Sequence, residues 1–135
     1  MSNENEIIKW LKKAESDLKT ARILFDSKDI VTESICFHCQ QAVEKYLKAF
    51  LVYHKKEFRK THIIAELLKL CIDLDNDFNK LKEINIQNLS IYAVEIRYPD
   101  EFYIPSIEEA KESIYLAEKT KEFVLQKLKE KGVEL

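Results

Sequence analysis

The sequence has a single glycine, Gly132, and only two prolines, Pro99 and Pro105. An all-β domain turns tightly many times and draws on both residues, so this poverty of breakers excludes a sandwich or barrel. It points instead to helices with few connections. No apolar run approaches the roughly 18 residues of a membrane span, so no membrane partner is expected. The opening MSNENEIIKW is polar and acidic, unlike a secretory leader. Cysteine is scarce and odd in number, at three, which argues against a disulfide framework and for reduced thiols in the cytoplasm. An excess of positive charge is missing too. With a formal net charge of −2, the chain as a whole is no polyanion binder, and any nucleic-acid contact must come from a local patch.

The 135 residues that are present are 46% hydrophobic and 34% charged, as in a globular chain, and their number fits one domain over residues 1–135. Ile7, Leu11, Ala14, Leu18, Ala21 and Phe25 recur at steps of four and three, one apolar stripe on a first helix. DSKD at 26–29 breaks it, and a second helix is expected over about 31–54. A third carries Ile64, Leu67, Leu68, Cys71 and Ile72. After the acidic stretch DLDND, Phe78 and Leu81 suggest a short turn. A fourth helix is expected over 86–97, with Leu89, Tyr92, Ala93 and Ile96 inward, ended by Pro99 because Tyr98 is pushed out of helical geometry. The last helix opens on a capping box, Ser106-x-x-Glu109. Its core stripe reads Ile107, Ala110, Ile114, Ala117, Val124 and Leu128, and Gly132 stands at its stop. The expected fold is all-α, an antiparallel helical bundle of four long helices plus a shorter one.

CFHC, at 36–39, raises a metal or redox reading. A structural zinc site needs four ligands, and neither a second Cys-x-x-Cys nor a spaced histidine pair is present. Cys36 and Cys39 also fall on the apolar stripe that continues into Val43, Tyr46, Leu47 and Phe50, and Cys71 lies on the inner face of the third helix. All three are expected to pack as small hydrophobes, with no metal and no cofactor.

The second helix has another, polar stripe: His38, Gln41, Lys45 and Lys48. Residues 45–60 hold six cations (Lys45, Lys48, Lys55, Lys56, Arg59, Lys60) against one acid, Glu57. Such a patch suits a phosphate-bearing ligand, a nucleic-acid backbone or an acidic partner, or simply a solvated face. The other polar feature is EIRYPDEFY, at 95–103. Arg97 either caps a helix end, where a cation is favoured, or presents its planar fork to a phosphate. Tyr98, Asp100 and Tyr103 flank it, and with Tyr92 the tyrosines could stack a base.

QQAVEKYLKA on the second helix, THIIAELL opening the third and IRYPD ending the fourth, in that order, resemble the HEPN domain family. WLKKAESDLKTARILF fits that family's first helix, and the likeness runs from about residue 10 to 127. The resemblance implies a homodimer and a minimal nucleotidyltransferase partner in a toxin–antitoxin system, while the basic stripe and the Arg97 corner point to a nucleotide or RNA ligand. Many members are metal-independent ribonucleases with an Arg-x(4–6)-His site. Here the three permitted positions after Arg97 are Phe102, Tyr103 and Ile104. The expectation is therefore a non-catalytic binding module in which Arg97 anchors a phosphate. Tyr98, Asp100 and Tyr103 shape the site, Lys45 and Lys48 support it, and Gln41, His38 and His62 line it. Two alternatives stand beside it: a ribonuclease toxin using Arg97 with a displaced histidine such as His62, and a pure protein-interaction module.

Overall fold

The computed structural model describes residues 2–93 and 103–135. Among these residues five α-helices run α1 Ser2–Phe25, α2 Thr32–Tyr53, α3 Ile64–Leu74, α4 Asn79–Glu83 and α5 Ile107–Glu130, with 3-10 segments at Asn76–Phe78 and Ile86–Ala93. No strand occurs among the described residues, and the fold is all-α. No helix among them is long and apolar enough to cross a membrane. The expected fourth helix is a 3-10 segment as far as Ala93, and its remaining residues, with Arg97, Tyr98 and Asp100, lie outside the described residues.

Helix α2 is the central element. Fourteen of its 22 residues are buried, because α1, α5, α3 and the second 3-10 segment all pack on it. Its composition explains this, since Ile35, Cys36, Cys39, Ala42, Val43, Tyr46, Leu47, Ala49, Phe50 and Leu51 wrap most of its circumference. Side-chain contacts fix the directions. Asp17 of α1 meets His38 and Lys45, and Trp10 meets Lys48, so α1 is antiparallel to α2. Ser113 bonds Cys36 and Lys131 lies over Tyr53, so α5 runs with α2. Gln40 reaches the His62 carbonyl and Cys71 the Leu47 carbonyl, so α3 also runs with α2. That parallel course requires the chain to travel back along α2, and residues 55–63 do so as a strap with almost no regular structure.

The termini follow local chemistry. Ser106 and Glu109 form the full capping box at the start of α5. At its end, Val133 N–H bonds Leu128 O at 3.0 Å and Gly132 N–H bonds Lys129 O at 3.0 Å, a Schellman motif that needs the left-handed φ of +90° at Gly132. Helix α2 ends the same way, with Lys56 bonding Leu51 O and Lys55 bonding Val52 O. There the left-handed position, φ +52°, is held by Lys55 rather than glycine. Ile107, expected in the core stripe of α5, is instead 45% exposed: it is the first helical residue, one turn short of the packed region that begins at Ala110.

Candidate functional site

The three cysteines belong to the core, fully buried and unpaired. Burial pushes all three thiols up, Cys39 and Cys71 well above their ordinary range, away from the thiolate that redox chemistry or metal binding requires.

The polar stripe of α2 is more self-satisfied than its sequence suggests. Asp17 accepts from His38 Nδ1 at 2.8 Å through one oxygen and from Lys45 Nζ at 2.5 Å through the other. Lys48 is 7% exposed. Its ammonium bonds Glu44 at 2.7 Å and lies 5.4 Å from the Trp10 ring centre and 5.7 Å from that of Phe58. Gln41 is partly buried, and its Oε1 has no hydrogen-bond partner among the described residues. Arg59 is held by Glu66 through three hydrogen bonds of 2.7–3.0 Å. Three of the six cations counted along 45–60 are thus answered by acids outside that window, namely Asp17, Glu44 and Glu66. Lys55, Lys56 and Lys60 remain as exposed cations of the strap.

At the centre is a carboxylate that motif reading passed over. Glu44 is 4% exposed and accepts three bonds: from Lys48, from Gln40 Nε2 at 2.8 Å and from His62 Nδ1 at 3.1 Å. A buried carboxylate is tolerable only when paired and hydrogen-bonded in this way. A carboxylate can only accept, so His62 carries its proton on Nδ1, leaving Nε2 as the open position of a ring whose side chain is 55% exposed. The spacing of Gln40, Glu44 and Lys48, each four residues on, is the sequence signal for this cluster. No such signal exists for Asp17, which requires the register of α1 against α2.

The Arg97 corner is described from its far side only. Tyr103 donates its hydroxyl hydrogen bond to Glu109, and Tyr92 does so at 2.7 Å to the other oxygen of the same carboxylate. Glu109 also accepts from the Ser106 backbone, and the Tyr103 bond leads the group of bonds that holds its carboxyl below the usual carboxylate range. Tyr103 and Tyr92 therefore converge on the cap of α5. Lys45, Lys48, His38 and Gln41 share the α1–α2 face, and His62 joins them through Glu44 and Lys48.

The chain is thus an all-α bundle centred on one buried helix, with a Gln–Glu–Lys ladder on that helix and a histidine closing onto it. The HEPN domain family model matches residues 7–129, and the chain belongs to that family. Its domain is a nucleotide- or RNA-related module. No curated protein and no solved structure matches the chain.

Proposed function

We propose that the chain is a non-catalytic nucleotide- or RNA-binding module, acting as a homodimer with a nucleotidyltransferase partner in a cytoplasmic toxin–antitoxin type system. Membership of the HEPN family supports the ligand class. One observation carries the non-catalytic reading: Phe102, Tyr103 and Ile104 stand where an Arg-x(4–6)-His site would place its histidine. Arg97 anchors a phosphate, Tyr98, Asp100 and Tyr103 shape the corner around it, and Lys45, Lys48, Gln41 and His38 line the α1–α2 face. The test is the melting temperature at low salt with RNA or nucleotide added, where charge contacts are strongest. A rise that Arg97→Ala abolishes is expected, and no shift with any ligand overturns the reading.

A second reading is favoured by the Glu44–His62 pair. A histidine oriented by a buried carboxylate, with Nε2 open, is equipped to move a proton as a ribose 2′-OH attacks the adjacent phosphate. On that reading Arg97 and His62 form a metal-independent ribonuclease site. Cleavage in chelator that is lost in both Arg97→Ala and His62→Ala would establish it.

A further inference from the structure

The strap carries more than connection. It lays Phe58 against Trp10 of α1, ring centres 6.5 Å apart at 64°. The two rings line an open depression of about 640 Å³, together with Glu6, Val52, Glu57 and Arg59. Lys55, Lys56 and Lys60 flank these residues along the strap, all exposed. Arg59, although paired with Glu66, keeps a side chain 67% exposed. Among the described residues no ion pair engages Glu6 or Glu57.

We infer that this depression is a base-binding site for guanine, presented by a nucleotide or by single-stranded RNA, with a lining that includes none of Tyr92, Tyr103 and Glu109. The inference rests on the nucleotide- or RNA-binding reading above and locates a site within it. Three features converge. Aromatic rings beside a cationic track are what an unpaired base and its phosphates require, because every base has a face to stack and every linkage a charge to meet. Two unpaired carboxylates would repel phosphates if they met them, but they accept from a base edge. Guanine offers two parallel donors, N1–H and the N2 amino group, which match the two oxygens of one carboxylate; uracil offers a single N–H. Arg59 lines the depression and Lys55, Lys56 and Lys60 flank its lining residues in sequence, so cations for a phosphate stand beside the groups that would receive the base.

Trp10 is the only tryptophan in the chain, so its fluorescence reports on this depression and on Lys48 beside it, and the variants below separate the two. The experiment titrates the full chain with GMP, UMP and short G-rich or U-rich oligoribonucleotides. Tryptophan emission is read beside the anisotropy of a labelled oligonucleotide. GMP and G-rich RNA are expected to quench Trp10, about tenfold tighter than their uracil counterparts. Quenching by GMP as well as RNA identifies the base as the element recognised, whereas quenching by RNA alone overturns the free-nucleotide arm. Glu6→Gln with Glu57→Gln erases the guanine preference. Lys56→Ser with Lys60→Ser leaves the melting temperature in place and flattens the salt dependence of RNA binding, by about 0.7 in log–log slope per lost phosphate contact. Phe58→Ala removes the quenching; since Phe58 also covers Lys48, Phe58→Tyr is the control that keeps fold and quenching together. RNA binding seen by anisotropy with Trp10 unmoved and these variants silent overturns the site while sparing the wider reading. Absence of binding by both probes overturns the two together.

Discussion

Glu44 is the residue on which the most depends. Its carboxylate is enclosed with Lys48, and both also serve others: Lys48 faces Trp10 and Phe58, while Glu44 holds Gln40 and His62. Removing one member strands the other charge in the interior. Glu44→Ala should therefore cost about 3–5 kcal/mol in urea unfolding, while Glu44→Leu combined with Lys48→Met should recover most of that loss. A single variant as stable as the parent would mean the pair is solvated. The cysteines behave oppositely. Buried and held as thiols, Cys36, Cys39 and Cys71 should resist an alkylating reagent in native buffer and all react once the chain is unfolded in denaturant. Rapid labelling of the folded protein would contradict the core assignment. At this scale the sequence was half legible. The thiols' place on the apolar stripe could be read from spacing, and so could the four-residue ladder of α2. The answering acids Asp17 and Glu66 could not, because they come from other elements and depend on packing register.

Among the elements, the two Schellman ends differ in one atom group. Gly132 takes its left-handed φ freely, with no atom within 4 Å of where a Cβ would stand, so Gly132→Ala measures backbone strain alone, about 1 kcal/mol destabilising. Lys55 pays that strain already, so Lys55→Gly should stabilise by about 1 kcal/mol. Ser106→Ala, which breaks the capping box of α5, should cost about 1 kcal/mol and loosen the corner shared with Tyr92 and Tyr103. Thermal melts of the three variants check the set, and a fall in stability on Lys55→Gly would contradict the reading of that turn. Helices α1, α2, α3 and α5 were legible because their apolar periods are regular, and α5 also because its capping box is explicit. The segment 86–93 was not: its apolar positions fit an α-helical stripe, yet the chain winds more tightly there. The strap was legible only as a basic connection. That it runs back along α2 and seats Phe58 on Trp10 depends on α3 lying parallel to α2, which no local pattern encodes.

For the whole molecule, acid should be the destabilising side. Burial alone would raise Glu15 and Asp75, but hydrogen bonds from Lys121 and Tyr46 to the first, and from Lys127 and the Asp77 backbone to the second, more than offset it, and both carboxyls titrate low. Glu109 is held low chiefly by Tyr103. A depressed carboxyl adds stability that is complete above its unfolded pKa and disappears as pH falls through its folded one. Unfolding free energy should therefore be level near neutrality and decline below about pH 4. Lys127, raised by Asp77 and Asp75, adds the mirror term: stability complete below the ordinary lysine pKa and lost as pH climbs through a higher one. Denaturant melts across pH test both limbs, and a stability maximum in acid would contradict them. Fold and family were legible in the motif order QQAVEKYLKA, THIIAELL and IRYPD, and residues 7–129 match the HEPN domain. Function turns on the missing histidine after Arg97. The most direct measurement incubates labelled RNA with the protein in chelator and follows anisotropy and strand length together. Binding with the strand intact is the result predicted here; cleavage that Arg97→Ala abolishes would contradict it and make the chain a ribonuclease.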